Sequence, residues 1–509
     1  MSNESCHFRR KPSELMQCVP YKLKENKMKN ANFSDFKLNK DLLKAIGMLN
    51  YESPTQVQAQ VIPVLLAKRD VIVKSQTGSG KTAAFAIPIC QMIDWEANKP
   101  QALVITPTRE LAIQVKEDVF NIGRFKRLKV AAIFGKSSFY HQEKELKQKT
   151  HAVVGTPGRI IDHLERGTLD TANIKYLVLD EADEMLNMGF IDDVETIIAA
   201  LPKERVTMLL SATMPADIDR LCKEHMNNPL RIEVEEKNPV AQRICQERYT
   251  VDRTEKLDLL KDILIVENPD SCIVFCNTQV AVDEVSGTLS KLKFTCMKIH
   301  GGMDQRDRMM VMNDFKKGYF RYLIATDVAA RGIDIEDISL IINYDIPKDG
   351  ESYVHRIGRT GRVSNTGRAV TFVTPDENAQ LDAIENYTDK KIDLKGRPKK
   401  EQVNEQRAAF IEKTSTAPEI KKGKSTELDK EIMKLHINAG KKTKMRPVDI
   451  VGTLCNIDGM TADDIGIINI LDVSTFVEIL NNKGEMVFNV LQDMPIKGRM
   501  RTVSKADAN

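Results

Sequence analysis

The sequence predicts an α/β chain of two doubly wound parallel-sheet domains followed by a small ferredoxin-like α+β domain. Three observations predict it. Short β-branched runs bounded by Gly, Pro and Asp alternate with helical stretches from Phe33 to about Val234, and again to about Asp389, as strands buried on both faces do. A polar stretch, EVEEKNPVAQR, separates the two series. Near the end a compact unit orders its elements β-α-β-β-α-β, the order of a ferredoxin-like sandwich.

The divisions follow from composition. Residues 1–32 are polar, basic and without periodicity, and read as a flexible tail. Residues 33–235 form the first domain, with strands in DVIVKS, QALVITP, KVAAIFG, HAVVGTP, YLVLDEAD and TMLLSAT. A linker over 236–243 leads to the second domain, 244–389, whose strands are SCIVFCN, TCMKIHG, YLIATD, LIINYD and AVTFVT. Residues 390–428 are rich in Lys, Glu, Pro and Ser and read as a charged tether with room for one short helix. In 429–509, KLHIN, IGIINIL, FVEIL and MRTVS read as strands, and PVDIVGTLCNID and EMVFNVLQD as helices.

A chain of 509 residues is too long for one core. With 42% hydrophobic residues, 29% charged residues and a net charge of +3, only the local distribution of charge speaks about partners. No apolar run reaches bilayer length, and the basic start is not followed by an apolar h-region, so a cytoplasmic location is expected. The nine cysteines show no zinc spacing and are read as reduced thiols, Cys272 and Cys276 as core residues of a strand.

Three motifs carry the chemistry. In DVIVKSQTGSGKTAAF a strand enters a glycine-rich turn and then a helix, the setting of a phosphate-binding loop over Ser75, Gln76, Thr77, Gly78, Ser79 and Gly80. Gly78 and Gly80 let N–H groups curl around phosphate, Lys81 adds charge on the β and γ phosphates, and the Thr82 hydroxyl can hold Mg²⁺. In KYLVLDEADEML two carboxylates end a buried strand: Asp180 reads as the Mg²⁺ partner through water and Glu181 as the group that polarises an attacking water. Asp183 and Glu184 fit a solvated acidic helix start better. In YVHRIGRTGR, Arg356, Arg359 and Arg362 recur every three residues and read as fingers reaching the γ-phosphate across a cleft, which makes hydrolysis depend on domain closure.

Over about residues 33–375 these motifs resemble the DEAD-box RNA helicases, which implies two RecA-like domains, ATP, Mg²⁺ and single-stranded RNA. PTQVQ with Gln58 resembles the element that reads the adenine edge, and Phe33 stands where an aromatic stacks on adenine. The resemblance implies RNA contacts at Pro107, Thr108 and Arg109 of PTREL, at Gly135, at Thr156, Pro157, Gly158 and Arg159 of TPGR, and at Thr326. It assigns Asp334 to the ATP ribose, and Ser211, Ala212 and Thr213 to the link between hydrolysis and strand separation. FCNT (275–278) and QRDR (305–308) match in turn. Asn50 and Tyr51 replace the usual Gly-Phe, and Lys136 replaces the second glycine of a Gly-Gly pair.

The last unit resembles the RRM-like RNA-binding domain of the DbpA/YxiN subfamily, supported by NIGRFKR, FGKSSF, DEADEMLNMGF and DDIGII. That resemblance implies a helicase monomer that binds a hairpin of 23S ribosomal RNA and unwinds nearby duplexes in large (50S) ribosomal subunit assembly. A general RNA chaperone and a non-catalytic RNA clamp are the rival readings. In the same unit NAGKKTKMRP breaks the GK[ST] order of a nucleotide loop and reads instead as part of an RNA grip. Lys434 to Arg446 holds five cations and no acid, and Lys497 to Lys505 four cations and no acid. In strand order 4-1-3-2 these runs converge, so Lys441, Lys442, Lys444, Arg446, Lys497, Arg499 and Arg501 are expected to grip phosphates, and stacking of bases on the sheet is not expected.

Overall fold

Buried parallel strands need apolar side chains on both faces, and the first domain supplies them in β1 (Val71–Lys74), β2 (Ala102–Ile105), β3 (Val130–Ile133), β4 (Ala152–Gly155), β5 (Tyr176–Leu179) and β6 (Val206–Ser211). A seventh strand, β7 (Leu230–Glu233), pairs with β1 at the edge. The order is β3-β4-β2-β5-β6-β1-β7, with every pairing parallel. The structure, a computed structural model, describes residues 31–75, 78–234, 244–327, 338–361, 367–416 and 426–506. The tail to residue 30 and the linker at 236–243 lie outside them.

The second domain repeats the plan with β8 (Ile244–Thr250), β9 (Cys272–Phe275), β10 (Cys296–Ile299), β11 (Tyr322–Ala325), β12 (Leu340–Asn343), β13 (Gly367–Val373) and β14 (Asp393–Leu394), ordered β10-β11-β9-β12-β13-β8-β14. All seven described cysteines are free, and Cys272 and Cys276 are buried as core residues. Parallel strands bring all their C-terminal ends to one edge of each sheet. Apart from Phe33 and PTQVQ, which precede β1, every motif of the first domain follows such an end.

Residues 390–416 depart from the expected tether. β14 extends the second sheet beside β8, and the helix Lys400–Ser415 buries Val403 and Phe410 in the second domain's core. Seven residues apart, these two side chains share one face of an otherwise polar helix, and Phe410 meets Phe294 at 4.9 Å between ring centroids.

The third domain has β15 (Met433–Ile437), β16 (Ile465–Ile470), β17 (Thr475–Ile479) and β18 (Val503–Ala506) in the antiparallel order β16-β17-β15-β18, which is the expected 4-1-3-2. One face packs Leu435, Ile437, Val477 and Ile479 on Ile450 and Leu454 of the helix Pro447–Cys455 and on Val487 and Leu491 of the helix Gly484–Asp493.

A candidate nucleotide and RNA site at the strand ends

After β1 the chain turns through Gly78 and Gly80, both left-handed at φ +81° and +84°, into the helix Lys81–Met92. No side chain caps that helix, so its first N–H groups are left for an anion. Lys81 Nζ donates to the Ser75 carbonyl at 3.0 Å, and the Ser75 and Ser79 hydroxyls lie 3.2 Å apart. Gln76 and Thr77 lie outside the described residues. Gln58 is tied to the loop itself, its Nε2 donating to Gly80 O at 3.2 Å while its Oε1 accepts from Thr55 N at 3.0 Å. The left-handed backbone favours glycine at position 80, and a Cβ there, 2.5 Å from Gln58 Nε2, would displace the Gln58 amide from the loop. Phe33 is buried edge-on to Phe36 and to Tyr51, 6.3 Å from each.

Asp180 ends β5 and is 3% exposed; its Oδ1 has no hydrogen-bond partner, and burial pushes its carboxyl up to about 7. An orphaned buried carboxylate oxygen, with the Thr82 hydroxyl at the start of the phosphate-loop helix, is a donor set that fits Mg²⁺. Glu181 follows in a left-handed conformation, φ +53° and ψ +55°, at the N-cap of the helix Ala182–Asn187. For a residue with a Cβ that backbone costs about 1–2 kcal/mol, strain of the kind held at functional sites.

Asp183 and Glu184 are not the solvated helix start expected of them: each is 5% exposed. Asp183 Oδ2 accepts from the N–H groups of Ala212 and Thr213 at 2.9 and 2.8 Å and from the Thr213 hydroxyl at 3.1 Å, and its own N–H donates to Ser211 Oγ at 3.2 Å. One acid thus fastens the acidic strand end to Ser211, Ala212 and Thr213 at the end of the neighbouring β6.

In the second domain Arg356 is no finger. It is 2% exposed and turned into the fold, where its guanidinium donates to Asp327 Oδ2 at 2.6 Å, Asn277 Oδ1 at 2.7 Å and Asp345 O at 2.7 Å. It joins the ends of β9, β11 and β12. Arg356→Gln should destabilise the second domain by about 3 kcal/mol, because it leaves the Asp327 carboxylate without its partner. A melting temperature within about 2 °C of the parent's would refute that role. Arg359, one turn on, is also buried. Arg362 and Asp334 lie outside the described residues.

The loops after β3, β4 and β2, neighbouring strands in the sheet order, meet at the other end of the same edge. Pro107 is buried and Thr108 caps the helix Arg109–Ile122. A Cβ on Gly135 would stand 3.3 Å from Arg109 Nη2, so those two motifs touch. Thr156 and Pro157 start the helix Pro157–Glu165, and Gly158 has open space around it. Arg159 donates to Gln142 Oε1 at 2.8 Å and to Ser137 O at 3.1 Å. Gln142 also accepts from His163, 3.2 Å away, whose ring stacks on Phe139 and is pushed down to about 4 by burial, hence neutral. Reading by motif missed Gln142 and His163, which position Arg159. Lys136 keeps φ +54° where the family has glycine, with its side chain exposed. Across the cleft QRDR meets PTREL: Arg308 pairs with Glu110 at 2.9 Å, and Gln305 accepts from Arg109 at 3.2 Å while donating to Glu110 at 3.0 Å. Thr326 is buried at the end of β11.

In the third domain the GKKT string forms a single 3₁₀ turn, Lys441–Thr443. The N–H groups that a nucleotide loop would aim at phosphate are consumed: Lys441 N and Lys442 N donate to Leu471 O and Asp472 O, both at 2.8 Å. A Cβ on Gly440 would stand 2.3 Å from Leu471 O, so this glycine serves a close backbone approach. The two basic runs do converge, but around an acid. Asp449 pairs with Lys497 at 2.7 Å and with Arg446 at 3.2 Å, and these cations pull its carboxyl down to about 2. Lys441, Lys442, Lys444 and Arg499 are exposed, and Arg501 is half-buried. His436 and Phe476 face each other across β15 and β17 with rings 5.0 Å apart.

Two parallel-sheet lobes whose strand ends carry a phosphate loop, an acidic pair and arginines define a nucleotide-driven motor with a small nucleic-acid-binding appendage. Residues 55–221 match the DEAD/DEAH box helicase family, 255–364 the helicase conserved C-terminal domain and 434–505 the DbpA RNA binding domain. The chain is 55% identical over 477 residues to the ATP-dependent RNA helicase DbpA of Bacillus subtilis (strain 168), covering 94% of this chain and 100% of that one. It is 46% identical to the DEAD-box ATP-dependent RNA helicase CshA of the same organism, over 72% of this chain and 74% of the relative. The chain belongs to the DEAD-box ATP-dependent RNA helicases, and within them to the DbpA subfamily. S. cerevisiae Dbp5 bound to RNA and ADP BeF3 is similar in structure, with a TM-score of 0.67 at 30% identity, covering 76% of this chain and 100% of that one.

Proposed function

We propose that this helicase is held by its C-terminal domain on a hairpin of 23S ribosomal RNA and separates short duplexes nearby during assembly of the large (50S) ribosomal subunit, in the cytoplasm and as a monomer. The observation that carries the reading is the third domain, similar to the DbpA RNA binding domain and presenting Lys441, Lys442, Lys444 and Arg499 to solvent. The working parts are residues 33–235, 244–389 with the segment to 416 attached, and 429–509.

Within the core, the phosphate loop from Ser75 to Thr82 holds the ATP phosphates, with Gln58 and Phe33 on the adenine side and Asp334 on the ribose. Thr82 and Asp180 would hold Mg²⁺, which would neutralise phosphate charge. Glu181 polarises the attacking water while Arg359 and Arg362 meet the charge that develops on the γ-phosphate. Arg109, Gly135, Arg159 and Thr326 grip sugar and phosphate of a single strand, without reading bases. Asp183 transmits closure, because any shift of the acidic strand end pulls Ser211, Ala212 and Thr213 with it.

The test is an ATPase titration with the ribosomal hairpin and with a random RNA of equal length. Half-maximal stimulation is expected at an RNA concentration lower for the hairpin by about tenfold or more. Removal of residues 429–509 should erase that difference while leaving basal turnover. Equal stimulation by the two RNAs would favour a general RNA chaperone, and no ATPase with either would favour a clamp.

A further inference from the structure

NIGRFKR, residues 121–127, and DDIGII, residues 463–468, have no part in the chemistry above. In space they lie on the two sides of one contact. Arg124, 5% exposed, donates to Asp429 Oδ1 at 2.9 Å and to Glu478 Oε1 at 3.2 Å. Arg127 donates to Ala462 O at 2.6 Å, and Lys129 to Ile468 O and Asn469 Oδ1, both at 2.7 Å. Lys144 pairs with Asp472 at 2.7 Å and Lys44 with Glu431 at 3.1 Å. Beneath these pairs lies a buried apolar centre in which Ala45 and Phe125 of the first domain pack on Leu428, Ile432 and Leu480 of the C-terminal unit.

We propose that this corner of the first domain is a charge-matched docking face whose partner is the chain's own C-terminal domain. The charges are sorted by side: the first domain brings cations, and the C-terminal unit brings carboxylates and carbonyls. An apolar centre ringed by such pairs is the anatomy of a specific interface rather than of a chance contact. The face that is covered matters. Along β17, Thr475, Val477 and Ile479 point into the domain's own core, so Phe476 and Glu478 point to the opposite, open face of the sheet. Glu478 is nevertheless 6% exposed, because Arg124 lies on it. Domain one therefore occupies part of the sheet face on which an RRM-like fold would otherwise stack bases, and the RNA grip falls to the loops at 441–446 and 497–501.

The face is braced from beneath. Lys126, between the two arginines, donates to the carbonyls of Cys90, Gln91 and Ile93 at 2.8, 2.8 and 2.6 Å, at the end of the same helix whose start is the phosphate loop. Docking also sets the two RNA surfaces side by side. Asp472, which holds Lys144, accepts through its carbonyl from Lys442 N, while the helix of Lys144 begins three residues after Lys136. An RNA lying on Lys441 and Lys442 can continue onto the Gly135 loop without leaving a basic strip.

Zero-length coupling of the full chain tests the docking with no new residue. A carbodiimide activates the Asp472 carboxyl, the Lys144 amine attacks it to form an amide, and the reagent leaves as its urea having taken up the water. Lys144–Asp472 and Lys44–Glu431 amides are expected by peptide mass spectrometry, with yields independent of protein concentration. Arg124→Glu, which sets three acids together, and Glu478→Arg, which sets two guanidinium groups together, should each lower both yields by about tenfold or more, and the double variant should restore them. Both singles are checked for an unchanged melt; where one fails to fold, Lys129→Glu replaces it. Absence of both amides in the parent chain, yields that rise with protein concentration, or undiminished yields in folded single variants would overturn the proposal.

Discussion

Glu181→Gln is expected to lose RNA-stimulated ATP turnover by about 10³-fold, the span of a general base, while ATP and RNA still bind. Binding should survive because the groups proposed to hold the phosphates are elsewhere: the uncapped N–H groups of the helix Lys81–Met92 and the Lys81 ammonium follow β1, and the proposed RNA contacts follow β2, β3, β4 and β11. Glutamine keeps the length of the side chain and the left-handed backbone at φ +53°, and removes only the carboxylate's ability to take a proton. Single-turnover phosphate release, with RNA affinity measured beside a non-hydrolysable ATP analogue, separates the two effects. Release at more than a tenth of the parent rate would rule Glu181 out as the base.

The legible part of the fold was the part under one constraint. β1 to β6 are mostly apolar because both faces are covered, and any reader of hydrophobic runs finds them. β7 was missed because an edge strand alternates: in Leu230–Glu233 only Ile232 is buried. β8 was missed for a different reason, since ICQERYT carries Gln246 and Glu247 inside the fold, where Tyr353 donates to Gln246 at 2.9 Å and Arg368 pairs with Glu247 at 2.8 Å. Buried polar residues with partners look like loop in one dimension. The helix Lys400–Ser415 hid in charge for the same reason, two buried apolar residues in sixteen being enough to seat it.

At the site, motif spacing located the strand ends but not which side chains face inward. Arg356 and Arg359 are three residues apart in one repeating pattern, and nothing in the pattern says that Arg356 closes a knot with Asp327. Asp183 and Asp180 are likewise one helical turn apart. Asp180 keeps an oxygen without a partner, while Asp183 spends its Oδ2 on three donors. The difference decides which acid can serve an ion and which holds a neighbouring strand, and it is set by tertiary contacts that no spacing records.

Replacing Lys441, Lys442 and Lys444 by Gln should weaken hairpin binding by about 10²-fold near 0.1 M salt and lower the salt slope by roughly 2 to 3, an increment of about 0.7–0.9 for each phosphate no longer neutralised. The fold of the loop should not change, because its hydrogen bonds come from the backbone: Lys441 N and Lys442 N hold Leu471 O and Asp472 O, and Gln donates those N–H groups equally well. The neighbouring cations differ. Arg446 and Lys497 already share Asp449, so part of their charge is committed within the protein, and replacing them removes a structural pair along with a phosphate partner. The triple variant therefore isolates the electrostatic grip, and ATP affinity at the phosphate loop, governed by Lys81 and its helix, should stay at the parent value. Fluorescence anisotropy of a labelled hairpin across a salt series reads the affinity and its slope, and a nucleotide titration reads the ATP site. An unchanged slope would mean that these lysines are solvated surface, and a parallel loss of ATP affinity would mean that they act on the core instead of on RNA.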